Sequence, residues 1–175
     1  MTQVLEQTRT WCWRFDAPDL NDSNLIVDLV DSMCIECEID KARRADLELV
    51  MAEVINNAID HGVLGLDSAM KKSPEGFEQY FMSRAAQLGD LKSGYIVVSV
   101  DQLDEQLISI SVEDSGGGFN FSSSNHLIAT DAVSLIAFGR GLLIIKHLCH
   151  SMTHLGSGNC ILLQFKTATE DSSAA

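Results

Sequence analysis

Proline is nearly absent and basic side chains are scarce. Two prolines among 175 residues, with 46 % hydrophobic residues, exclude a collagen-like or disordered chain. No apolar run approaches the ~20 residues needed to cross a bilayer. The segment Met1-Thr2-Gln3-Val4-Leu5-Glu6-Gln7 lacks the basic-then-apolar pattern of a signal peptide, so a cytoplasmic protein is expected. Lys and Arg number 12 against 25 Asp and Glu, a net charge of −13. Phosphate backbones are gripped by Lys and Arg, so no nucleic-acid surface is expected, and the same sign disfavours anionic membranes. The acidity admits a basic protein partner, although solubility alone is the favoured reading of it. At ~150 residues per domain, residues 1–175 make a single domain.

The five cysteines, Cys12, Cys34, Cys37, Cys149 and Cys160, are odd in number and read as reduced thiols. Cys34 and Cys37 form a C-x-x-C pair, which raises a zinc or redox reading. The pair continues the helical pattern of Ile26, Leu29, Val30 and Met33, and no second C-x-x-C exists, so core packing is the reading taken.

Hydrophobic periodicity orders the rest. Thr10 to Phe15 alternates as a strand, with Trp11 and Trp13 read as strand-packing residues, and the polar Asp19–Asn24 stretch precedes a helix to about Cys37. A second helix is expected from about Lys41 to Asp60. Residues 63–93 form a long insertion in which Phe77, Tyr80, Phe81, Leu88 and Leu91 mark a helix with one apolar face. Strands follow with Ile96, Val98 and Val100, then Ile108, Ile110 and Val112, each set on one face. The Ser-rich stretch from Asn120 to Asp131 reads as a loop. Gly139-Arg140-Gly141 opens a third helix facing inward through Leu142, Ile145, Leu148, Cys149 and Met152. Gly156-Ser157-Gly158 then turns into a last strand with Ile161, Leu163 and Phe165 on one face. This order predicts an α+β, two-layer sandwich with helices on one face of a mixed, mostly antiparallel sheet.

Three places carry chemistry. On the second helix, ~100° per residue puts Leu47, Val50, Met51, Val54 and Ala58 on the core stripe. Glu53 and Asn57 stack, half-buried, on its flank, with His61 one turn on and nearer the core. A carboxylate and an amide so placed can orient a hydroxyl and complete a metal shell, although polar pairs also flank many ordinary helices. Counting in twos from Ile108 puts Asp114 inward, where a carboxylate is costly unless hydrogen-bonded. Gly116-Gly117-Gly118 then leaves space beside it. An inward acceptor beside a glycine-opened cavity suits an exocyclic amine such as that of adenine; a hairpin turn capped by Asp114 is the alternative. Finally, Gly139-Arg140-Gly141 at a helix start presents free N–H groups and a helix dipole to phosphate, with Arg140 able to add charge. No P-loop and no protein-kinase catalytic loop is present. His147, His150 and His154 have helical spacing but no carboxylate partner and read as a solvated face.

Together, Glu53-x-x-x-Asn57, Asp114-x-Gly116-x-Gly118 and Gly139-x-Gly141, in that order, resemble the N, G1 and G2 boxes of the GHKL (Bergerat-fold) superfamily. That superfamily unites gyrase, chaperone, histidine-kinase and mismatch-repair ATPases. Within it, Glu53-Val54-Ile55-Asn56-Asn57-Ala58-Ile59-Asp60-His61-Gly62 is most similar to the anti-sigma-factor serine/threonine kinases. The resemblance spans about Trp11 to Phe165. It implies ATP and Mg2+ as cofactors, Glu53 as general base and Asn57 as a magnesium ligand. It implies an adenine-reading Asp114, a base pocket shaped by Gly116 and Gly118, and a nucleotide site that includes His61. Residues 119–138 would be a lid, with Gly139, Arg140 and Gly141 as its phosphate-binding hinge. The substrate would be a serine or threonine on a small anti-sigma-factor antagonist, the other partner a sigma factor or similar regulator, and the kinase a homodimer. The long 63–93 insertion is similar to kinase-like domains attached to phosphatase-bearing response regulators, which would make this chain one domain of a longer polypeptide. A nucleotide-gated binding module without catalysis is the second reading. A histidine-kinase domain is disfavoured because no helix ahead of Glu53 is long enough for a phospho-accepting hairpin.

Overall fold

The computed structural model describes residues 9–118 and 140–169. Five strands, β1 (Thr10–Asp16), β2 (Tyr95–Gln102), β3 (Leu107–Asp114), β4 (Ser151–Leu155) and β5 (Cys160–Lys166), form one open sheet in the order β1-β2-β3-β5-β4. The sequence implied a mixed, mostly antiparallel sheet; every pairing among the described strands is antiparallel. Among the described residues four α-helices accompany it: α1 (Leu25–Glu36), α2 (Arg44–Asn57), α3 (Pro74–Asp90) and α4 (Arg140–Leu148). Among the described residues no helix is long and apolar enough to cross a membrane.

Register explains the single core. Alternation along each strand puts Trp11, Val100, Ile110, Leu163 and Met152 in one transverse row, and Trp13, Val98, Val112, Ile161 and His154 in the next. Val98, Val100, Ile110, Val112 and Leu163 in these rows are buried, with Ile161 partly so, and they pack with Leu29, Met33, Leu47, Val50, Met51 and Val54 of α1 and α2. Each fully buried aliphatic side chain of this kind contributes roughly 1.5–3 kcal/mol. The opposite sheet face carries Thr10, Arg14, Ser99, Asp101, Ser109, Ser111 and Gln164, several of them hydrogen-bonded across strands, as in Thr10 to Asp101 at 2.7 Å. Hydrophobic-in, polar-out alternation is what one covered face requires.

Two sequence expectations change. The third helix stops at Leu148 rather than running to Met152, and Ser151–Leu155 is an edge strand. Met152 follows Leu148 by four residues and so fits a helix, but Met152 and His154 fit a strand equally well. Pairing with β5 decides between them. His147, His150 and His154 therefore share no helix face. His154 lies on the covered side of β4, and burial pulls its pKa below the usual imidazole range. The 63–93 insertion contains the expected helix, α3, entered through Ser73, whose hydroxyl accepts from the Gly76 N–H at 3.1 Å with Pro74 at the first helical position.

Cys37 closes α1 in the core, and burial pushes its thiol up to about 12; Cys34, half-buried, is shifted the same way by the same cause. Among the described residues, no three His, Cys, Asp or Glu side chains gather as a metal cage.

Candidate functional site

The inner-face alternation of β3 ends on a carboxylate. Asp114 follows Ile108, Ile110 and Val112 in phase and is 8 % exposed. Burial is the main cause that raises its pKa above the usual carboxylate range; the neighbouring Glu113 charge adds to this, while the Gly116 N–H, donating to Oδ1 at 2.8 Å, opposes it. The strand end is fixed on both sides. The Asp114 N–H donates to the Asn159 carbonyl at 2.9 Å, the Asn159 amide donates to the Asp114 carbonyl at 3.2 Å, and the Ser115 N–H donates to the Tyr95 carbonyl at 3.0 Å.

Over this carboxylate passes the end of the second helix. The chain leaves α2 at Asn57 and continues as a π-turn, Ala58–Val63, closed by the Leu64 N–H on the Ile59 carbonyl at 2.8 Å. An i→i+5 turn rotates less per residue than an α-helix, and such turns concentrate at functional sites. Here the turn lays Gly62 directly on Asp114: a Cβ at Gly62 would run into the Asp114 carboxyl group, and one at Gly116 would run into the Gly62 carbonyl. Gly118 has a φ of +77° and lies against the Ser157 carbonyl, so backbone conformation and space both require glycine.

The same winding moves His61. The α-helical phase put it nearer the core; the π-turn instead leaves its ring exposed, with Nδ1–H donating to the Leu66 carbonyl at 2.7 Å. The stacked pair also departs from expectation in one member. Glu53 is half-buried, whereas Asn57, one turn on, is exposed. Glu53 meets α4: a Cβ at Gly141 would strike its Oε2. Arg140 opens α4, while Gly139 and the lid stretch 119–138 lie outside the described residues.

Three stretches far apart in sequence thus converge at one end of the sandwich: Gly62 touches Asp114 and Gly116, and Glu53 touches Gly141. Sequence reasoning missed the residues that hold this end in place. Asp60 is buried at 7 % exposure, with Oδ2 accepting from the Tyr80 hydroxyl at 2.7 Å and Oδ1 from Arg84 Nε at 2.5 Å. Arg84 also donates to Asn56 Oδ1 at 3.0 Å. α3 covers Asp60, while Asn56 beside it stays exposed and is reached only by Arg84. The signal was a polar Tyr80 and Arg84 at four-residue spacing on the apolar side of α3.

The donor set suits a nucleotide and its ion. Among the described residues Asp114 Oδ2 accepts no hydrogen bond and is available as a second acceptor beside glycine backbone. The Asn57 amide oxygen is a hard donor, and Mg2+ shared with phosphates needs only one or two protein ligands rather than a cage. Comparison with family models and with curated proteins finds no match to this chain.

Proposed function

We propose that this chain binds ATP with Mg2+ and transfers its γ-phosphoryl group to a serine or threonine of a small anti-sigma-factor antagonist, so regulating transcription by partner switching in the cytoplasm. The observation that carries the reading is the buried Asp114 beneath Gly62, with Gly116 bonded to one of its oxygens and the other without a hydrogen bond among the described residues.

Each residue then has one task. Asp114 accepts the exocyclic amine of adenine, with Gly62, Gly116 and Gly118 giving the base close access to backbone. Glu53, at the start of α4, accepts the proton of the attacking hydroxyl. Asn57 holds the metal ion, which neutralises phosphate charge when bound. The amides of Gly141 and its neighbours, at the positive end of α4, face the phosphates, and Arg140 lies in the same first turn. Phosphoryl transfer asks mainly for positioning and charge neutralisation, so this small set suffices. A sigma factor or similar regulator as second partner, and a homodimer, belong to the same proposal.

The test is incubation with γ-labelled ATP, Mg2+ and purified antagonist proteins, alongside ADP titration calorimetry. Label on serine or threonine that disappears in Glu53→Gln, with ADP affinity kept, is the expected result. ADP binding without transfer to any antagonist would refute the kinase. That outcome would leave the nucleotide-gated binding module, a reading favoured by Glu53 packing on Gly141 rather than standing clear of it.

A further inference from the structure

We infer that Asp60, Tyr80 and Arg84 are positioning residues for the nucleotide site, by which the inserted helix α3 holds the π-turn in place over Asp114; the inference rests on the nucleotide reading above.

The cluster is closed and directional. Both Asp60 carboxylate oxygens are engaged, one by the Tyr80 hydroxyl and one by Arg84 Nε, and the Asp60 carbonyl accepts from the Leu66 N–H at 2.7 Å. Tyr80 is fully buried, and the Lys71 ammonium lies 3.9 Å above its ring. The second arm of Arg84 reaches back to Asn56 on the last turn of α2. Thus α3 grips the chain at two points, Asn56 and Asp60, that bracket Asn57. Among the described residues no buried side-chain polar atom lacks a partner.

A buried ion pair is a poor source of net stability, because desolvation offsets much of the attraction. An apolar contact would hold α3 onto α2 equally well. What the charged cluster adds is geometry: a carboxylate gripped from two directions fixes the rotation of the π-turn about its axis. Gly62 follows Asp60 by two residues, and it packs against the Asp114 carboxyl group with no room for a Cβ. A rotation of the turn that shifts Asp60 must therefore move the Gly62 backbone against Asp114 and Gly116. Asn57, held between the two anchored positions, turns with it. None of the three cluster residues is given a role toward the nucleotide, and Tyr80 and Arg84 lie outside the stretches that carry the nucleotide reading, so their effect on binding passes through the turn.

The experiment uses the 175-residue protein with Tyr80→Phe, Arg84→Met and Arg84→Lys, each verified as folded by circular dichroism and urea titration. Calorimetry with ADP and Mg2+ gives the dissociation constant, and amide resonances of Gly62 and Gly116 are followed by 15N NMR without ligand. The expected result is an ADP affinity at least tenfold weaker in Arg84→Met, partly restored in Arg84→Lys, with both glycine amides shifted in the ligand-free protein. A purely structural role predicts lowered urea stability with affinity and glycine amides unchanged. Wild-type binding of ADP together with folded variants that bind within twofold of it overturns the inference. Failure of the wild-type protein to bind ADP overturns the nucleotide reading itself, and this use of the cluster with it.

Discussion

Replacing Asp114 with asparagine should separate binding from stability, because the two properties make opposite demands on this carboxylate. The aspartate offers two acceptor oxygens. One is committed to the Gly116 N–H at 2.8 Å; in the proposed nucleotide site the other would accept the adenine amine. Asparagine has a single acceptor oxygen, so its NH2 group must confront either Gly116 or the ligand amine. A hydrogen bond to a charged group contributes about 1.5–3 kcal/mol, so ADP affinity should fall roughly 10- to 100-fold. Stability should hold or rise, because burial is the largest cause acting on this carboxyl and it opposes the charged form. The sign with pH follows. Asp114 has a folded pKa raised above its ordinary 3.8. Its contribution to stability is therefore fully present below about 3.8 and lost as pH rises through the folded value. The Asp114→Asn substitution removes that loss at neutral pH. The assay pairs urea unfolding at pH 7 with calorimetry against ADP and against inosine diphosphate, which lacks the amine. The substitution should weaken ADP binding while leaving inosine diphosphate nearly unaffected. Equal losses for both ligands, or a folded variant with unchanged ADP affinity, would refute the role given to this side chain.

Other consequences are simpler. Gly62→Ala drives a methyl group into the Asp114 carboxyl; a loss of roughly 1–3 kcal/mol in urea should accompany abolished ADP binding, whereas Gly117→Ala, with open space around it, should leave both within error. Arg43→Met removes donations to the Leu148 and Lys166 carbonyls, both at 3.2 Å, the pair with Asp46, and stacking over Phe165. Unfolding free energy should drop by about 1–3 kcal/mol; a change below about 0.5 kcal/mol would show these contacts to be idle. Among the cysteines, exposed Cys12 should react first with an aromatic disulfide reagent at pH 8. Cys37 and Cys149, buried with thiols pushed up to about 12 and about 11, should react only after urea is added. Peptide mapping of the labelled protein reads the order.

Most of the architecture was legible because its signals are local and periodic. The two-residue repeat at Ile108, Ile110 and Val112 places Asp114 inward, and the buried aspartate of the structure follows from that phase alone. What escaped were events that break a period or depend on distant chain. Helical phase carried past Asn57 put His61 nearer the core, because nothing local in Ala58–Val63 announces a π-turn. Asp60 was given no role, since its cover, α3, comes from residues 74–90. Strand β4 was absorbed into the preceding helix because five residues with Met152 four after Leu148 satisfy both periods. Contact between Glu53 and Gly141 joins residues distant in the chain, and only the packing of α2 on α4 creates it.

The sheet also dictates how unfolding is observed. Strands β2 and β3 are joined by a tight turn, as are β4 and β5, but β1 meets β2 only across roughly 80 intervening residues, a costly loop to close. Among the described strands it is paired along one side only, so it zips late and frays early. Both tryptophans of the chain, Trp11 and Trp13, sit on this strand. Intrinsic fluorescence therefore watches the margin of the molecule rather than its centre, and a fluorescence midpoint below the dichroism midpoint would mark β1 detaching before the remainder gives way.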